Sequence, residues 1–86
     1  MSLTKDELRS TIGGNIRSRR AELGLSQQAV ADAISLSQPQ VNRIEKGISS
    51  FPADLFAILG EVLQVDPIYF LTPQRSKIIL DHTLDV

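Results

Sequence analysis

The sequence predicts a compact all-α domain of five helices, and three observations carry that prediction. Apolar residues recur at helical spacing through most of the first 71 positions. Helix-start chemistry is written twice in nearly the same letters: Leu25-Ser26-Gln27-Gln28-Ala29-Val30 and, eleven residues on, Leu36-Ser37-Gln38-Pro39-Gln40-Val41. Finally, 86 residues with no cysteine must be held by apolar packing alone, for which a hydrophobic content of 42% is adequate.

The first helix is expected over 5–23. Thr4 and Glu7 have the spacing of a capping box, in which side chain and backbone at the first turn bond each other reciprocally. Leu8, Ile12, Ile16 and Leu23 form its apolar face. Gly13-Gly14 interrupts that face without dividing the helix, and Gly24 is the natural residue to end it. In each copy of the repeat the serine is placed to accept from an amide of the first turn. The Leu before it and the Val four after it stand where a hydrophobic staple forms. The second helix is therefore expected from Ser26 to about Ala33, with Ala29, Val30, Ala33 and Ile34 turned inward or into the turn.

The third helix begins at Ser37, tolerates Pro39 in its first turn and pairs Ser37 with Gln40 in a second capping box. Val41 and Ile44 face the core, and Gly47 closes the helix at about Lys46. A loop through Ser49-Ser50-Phe51-Pro52 leads to a fourth helix carrying Leu55, Ile58, Leu59 and Val62. Asp66-Pro67 opens a short fifth helix through Leu71, which Thr72-Pro73 stops. The domain is thus expected over 1–73, with 74–86 as a tail whose Ile78-Ile79-Leu80 run suits a strand or a helix equally.

Two short helices starting eleven residues apart have the length of a helix-turn-helix, here about 26–46. In that motif the second helix reads the DNA major groove. The net charge of −1 does not announce a nucleic-acid partner, but its distribution is uneven: residues 1–50 carry +2 and residues 51–86 carry −3. Arg17, Arg19, Arg20, Arg43 and Lys46 lie in or beside the motif, where a basic face can meet phosphates, although a solvated helix face accounts for Arg17 and Arg19 equally well.

Arg20 stands about 60° from the centre of the first apolar stripe, and Glu45 is similarly placed four residues after Val41. Each is the natural ion-pair partner of the other, the alternative being that both charges reach water. The opposite face of the third helix carries Pro39, Asn42, Arg43 and Lys46, flanked by Gln38 and Gln40. Glutamine can make a two-point contact to adenine and arginine to guanine. Proline offers an apolar contact, for example to a thymine methyl.

From Ile16 to Leu63 the sequence resembles the lambda-repressor/Cro-type (XRE-like) helix-turn-helix family. The residues that carry the likeness are Ile16-Arg17-x-x-Arg20, Leu23-Gly24-Leu25-Ser26-Gln27, Val30-Ala31 and Val41-x-x-Ile44-Glu45-x-Gly47. The resemblance implies a lambda-repressor-like fold and base contacts from Ser37, Gln38, Pro39, Gln40 and Arg43. It implies backbone contacts from Gln27, Lys46 and Ser50, to which Arg17, Ser26 and Asn42 are added as flanking polar groups. It also implies a structural Arg20–Glu45 pair. Two departures stand out: Ser35 occupies a turn position where the family often has glycine, and Ile48-Ser49-Ser50-Phe51 lacks the usual basic residue.

The expected function is a double-stranded-DNA-binding transcriptional regulator, a repressor acting as a homodimer on a palindromic operator. Dimer contacts are expected from the fourth and fifth helices or the tail, with Phe51, Phe56, Tyr69, Phe70 and Ile78–Leu80 as candidates, although Phe56 and Phe70 suit the core better. Two alternatives share the fold: an antitoxin whose tail holds a protein partner, and a protein-binding adaptor suggested by the acidic 51–86 half. No apolar run approaches ~20 residues and no signal-peptide core is present, so no membrane partner and a cytoplasmic location are expected. An enzyme is not expected. His82 is the one histidine, Asp81-His82-x-x-x-Asp85 reads as a solvated tail, and Gly13-Gly14 follows no predicted strand. No catalytic residue, cofactor or metal is therefore assigned.

Overall fold

The computed structural model describes residues 4–49 and 52–73. Ser50, Phe51 and the tail 74–86, with Ile78–Leu80 and His82, lie outside the described residues. The described residues form four α-helices, α1 (Lys5–Glu22), α2 (Gln27–Ile34), α3 (Gln38–Glu45) and α4 (Asp54–Leu63), followed by a 3-10 helix (Pro67–Leu71). The all-α expectation holds, with its fifth helix tighter than an α-helix.

The local chemistry explains most boundaries. Thr4 and Glu7 make both bonds of a capping box, at 3.1 and 2.9 Å, and these hydrogen bonds hold the exposed Glu7 carboxyl below its ordinary pKa. The Ser26 hydroxyl accepts from the Ala29 amide at 3.0 Å, and Ser37 and Gln40 form the second box at 3.3 and 2.8 Å. Gly13-Gly14 leaves α1 unbroken, and α1 and α3 are followed by Gly24 and Gly47 at φ +71° and +75°. Between α2 and α3, Ser35 is left-handed at φ 60°, ψ 38°, so the turn keeps the conformation that favours glycine although no glycine stands there. That conformation costs a non-glycine residue about 1 kcal/mol. Ser35→Gly is therefore expected to raise the unfolding free energy by about that amount in urea titrations; an unchanged midpoint would mean the turn is unstrained.

One core gathers Ile12, Ile16, Val30, Ala31, Ile34, Val41, Ile44, Leu59, Leu63 and Phe70. Phe70 is fully buried, edge-on to Tyr69 and 6.3 Å from the Phe56 ring, so it is core and not a dimer contact. Burial also raises the Tyr69 phenol above its usual pKa.

Two expectations about packing are corrected. Leu8 is 36% exposed, and the buried face of α1 begins a turn later at Ile12. Periodicity shows which side of a helix is apolar, but not how far along it the rest of the chain reaches. On α2, Ala29 and Ala33 are exposed and Ala31 is buried, because Val30, Ala31 and Ile34 make the inward stripe.

The C-terminal elements are tied to α1 by side chains that terminate them. Buried Asn15 donates through Nδ2 to the carbonyls of Tyr69, Phe70 and Thr72 at 3.2, 2.9 and 2.8 Å. The Tyr69 carbonyl also accepts from the Thr72 amide at 3.3 Å, so the Asn15 amide group joins the backbone in closing the 3-10 helix. Arg19 does the same for α4, its Nε donating to the Leu63 carbonyl at 2.8 Å beside left-handed Gln64.

Candidate nucleic-acid interface

The two halves of the repeat become two helix N-termini whose first residues, Gln27 and Gln38, face each other. Gln38 Nε2 donates to Gln27 Oε1 at 2.6 Å, and Asn42 Nδ2 donates to the same oxygen at 3.4 Å. Gln27 Nε2 in turn donates to Glu45 Oε1 at 2.9 Å. Glu45 is also held by Arg20, with Nε on Oε2 at 2.6 Å and Nη2 on Oε1 at 3.0 Å. Arg20 Nη1 donates to the Leu25 carbonyl at 2.8 Å, so this one side chain joins α1, the loop before α2, and α3. The Glu45 side chain is 2% exposed and that of Arg20 15%. Hydrogen bonding to Glu45 raises the Arg20 pKa further, keeping it cationic under all ordinary conditions. Sequence spacing signals the ion pair. The Gln27–Gln38–Asn42 link was missed, although its signal is present, since both glutamines directly follow a capping serine.

The outer side of α3 is the face without such ties. Pro39, Gln40, Arg43 and Lys46 are exposed, and Gln38 and Asn42 are half-buried by their contacts with Gln27. Among the described residues the side chains of Arg43, Lys46 and Arg17 have no hydrogen-bond or ion-pair partner. Gln40 is partly committed, its Oε1 accepting from the Ser37 amide, which leaves its NH2 group outward. The Ser26 and Ser37 hydroxyls likewise accept from capping amides, which leaves each O–H free to donate. A depression of about 200 Å³ between α1, α2 and α3 is lined by Arg17, Arg20, Gln27, Asn42, Glu45 and Lys46. Its two cations with uncommitted side chains, Arg17 and Lys46, sit beside the outer face of α3, although the chain as a whole carries a net charge of −1. Arg19, by contrast, is spent on the end of α4 and on Glu22 at 3.2 Å. Ser50 lies outside the described residues.

A short helix, a tight left-handed turn and a second helix with an uncommitted polar outer face define a helix-turn-helix unit. Residues 16–70 match the helix-turn-helix family model, and the chain belongs to that family, in its lambda-repressor/Cro (XRE-like) branch. An uncharacterized HTH-type transcriptional regulator of Sinorhizobium fredii, y4wC, is 33% identical over 67 residues, which are 78% of this chain and 47% of that protein. The chain thus spans about half the length of this relative. Among solved structures, a hypothetical transcription factor from Neisseria, NHTF, superposes with TM-score 0.76 at 21% identity, covering 93% of this chain and 92% of that one. The clp gene regulator ClgR from Corynebacterium glutamicum gives TM-score 0.74 at 23% identity, covering 91% and 83%. At these identities the structural likeness concerns the fold. No described helix is long and apolar enough to cross a membrane.

Proposed function

We propose that the chain is a sequence-specific, double-stranded-DNA-binding transcriptional regulator that places α3 in the major groove. The observation that carries this reading is the outer face of α3. Directly after the turn it presents Gln38, Pro39, Gln40 and Arg43, with the cations Arg17 and Lys46 beside it and unpaired. In this reading Ser37, Gln38, Pro39, Gln40 and Arg43 meet base edges, the first turn of the helix being the part that reaches them. Arg43 supplies a two-point contact to guanine. Arg17, Ser26, Asn42 and Lys46 track the phosphates, and Gln27 adds its one remaining N–H, while the Arg20–Glu45 pair fixes the angle between α1 and α3.

Two copies bind a palindromic operator as a homodimer, their recognition helices about 34 Å apart. Occupancy of such a site blocks a promoter, which makes the protein a repressor. The exposed Ile58, Ile68 and Leu71 on α4 and the 3-10 helix, at 41%, 65% and 42%, are apolar groups available to such a dimer.

The test is duplex binding as a function of salt and sequence. Arg43→Ala should relax preference at a single base pair by about 1–3 kcal/mol. Lys46→Ala should instead weaken all sequences alike and reduce the salt slope by about one. Binding that is absent at every salt concentration would contradict the proposal.

A further inference from the structure

Beside Arg43 the outer face of α3 gives way to a second depression, of about 280 Å³, between the α2–α3 turn, α3 and the start of α4. Its walls include Leu36, Ile44 and Leu55, and Gln40, Arg43 and Ser49 supply its polar groups. These polar groups are biased towards donors. The Arg43 guanidinium only donates and its side chain has no partner. Gln40 has given its Oε1 to the Ser37 amide, so its NH2 remains, and the Ser49 hydroxyl adds a further donor. No described carboxylate lines the depression. A DNA phosphate would meet Arg43 and leave the apolar walls wet. An acid with a hydrocarbon body satisfies both parts, its carboxylate on the guanidinium fork and its body against Leu36, Ile44 and Leu55.

We infer that this depression binds a small carboxylate with an apolar body, and that its occupant takes Arg43 and Gln40 away from DNA. A volume just under the ~300–1,000 Å³ of sites for drug-sized ligands sets the body at about six to eight carbons. The inference rests on the DNA-reading function proposed above, because Arg43 and Gln40 are base contacts in that reading. Ligand and duplex then exclude each other, and the acid acts as an inducer that releases the operator.

Sodium hexanoate is the probe, titrated into the free chain at constant ionic strength and followed by the backbone amide resonances. Saturable shifts should concentrate at the residues around the depression. Acetate, which lacks the body, should bind about tenfold more weakly or worse. Hexanamide, which lacks the charge, should bind about fivefold more weakly, as expected for the loss of an exposed ion pair. Arg43→Met should bring hexanoate down to the level of hexanamide.

Duplex affinity is then compared in sodium hexanoate and in sodium acetate at equal concentration, so that ionic strength is the same. The apparent Kd for a duplex selected by the wild-type chain should rise by one plus the ratio of hexanoate concentration to its own Kd. Leu55→Ala, which removes part of the apolar wall and no proposed DNA contact, should blunt that rise and leave affinity in acetate unchanged. Absence of saturable shifts, or hexanoate bound no better than acetate and hexanamide, overturns the inference and leaves DNA reading standing. Saturable binding with unchanged duplex affinity does the same. Binding seen only after Phe51→Ala assigns the depression to the chain's own side chain and overturns the inference as well. A chain that binds no duplex at any salt concentration overturns the DNA reading, and the competition with it.

Discussion

Arg20→Met should lower the unfolding free energy by about 3 kcal/mol, the lower end of the range for breaking a buried ion pair. The reason is the asymmetry of exposure. Glu45 has a 2% exposed side chain and would keep only the Gln27 amide as partner, whereas Arg20 is 15% exposed and already touches water. The loss falls on the abandoned carboxylate more than on the attraction itself, and the Leu25 carbonyl loses its donor as well. The double variant Arg20→Met, Glu45→Met is therefore expected to recover much of the deficit, since two apolar side chains leave no buried charge. Urea titrations of the single and double variants measure both quantities. A double variant no more stable than Arg20→Met would mean that the stabilisation comes from the geometry of the pair and not from the need to neutralise Glu45.

Gly13→Ala should cost about 2 kcal/mol, whereas Gly14→Ala should gain about 1 kcal/mol, although the two glycines are adjacent on one helix. A Cβ at Gly13 would stand 2.3 Å from the Ile44 carbonyl oxygen and 2.6 Å from that of Glu45. Both are backbone atoms, so no side chain can rotate away and α3 itself must shift. Overpacking of this kind costs about 1–3 kcal/mol, more than alanine returns through helix propensity. A Cβ at Gly14 meets nothing within 4 Å, and only the propensity gain of about 1 kcal/mol remains. Because the contact at Gly13 is with the C-terminal end of α3, Gly13→Ala should also weaken DNA binding, while Gly14→Ala should leave the angle of α3 unchanged. Equal melting temperatures for the two variants would show that α1 and α3 are not in backbone contact there.

The contrast between these glycines shows how much of the fold the sequence discloses. Gly13-Gly14 reads as one blemish in a helical pattern, because the difference between them is the approach of a helix thirty residues away. Thr4, Ser26, Ser37, Gly24 and Gly47 are legible, since capping is chemistry among residues within one turn of each other. The start of α4 is not. Ala53 stands at its N-cap with no side-chain bond, so that boundary comes from packing and not from a cap. The same holds for Asn15, whose three carbonyl acceptors lie 54, 55 and 57 residues away.

The candidate site divides along the same line. Arg20 and Glu45 can be matched from spacing, because each is a charge on the flank of an apolar stripe and a buried charge needs a partner. The outer residues of α3 follow from its helical period. What sequence spacing does not show is that Gln27 faces α3, where its oxygen receives Gln38 and Asn42. Those facts need the angle between α2 and α3, which the turn at Ser35 sets.

The most direct test of the central claim, that the outer face of α3 reads bases in double-stranded DNA, is selection of bound duplexes from a random pool by the purified chain. The account predicts a palindromic consensus whose half-site centres are about 34 Å apart, or a whole multiple of that distance. Within each half-site, the preference at one pair should disappear in Arg43→Ala. A pool that shows no enrichment, or a consensus indifferent to Gln38 and Arg43, would contradict it.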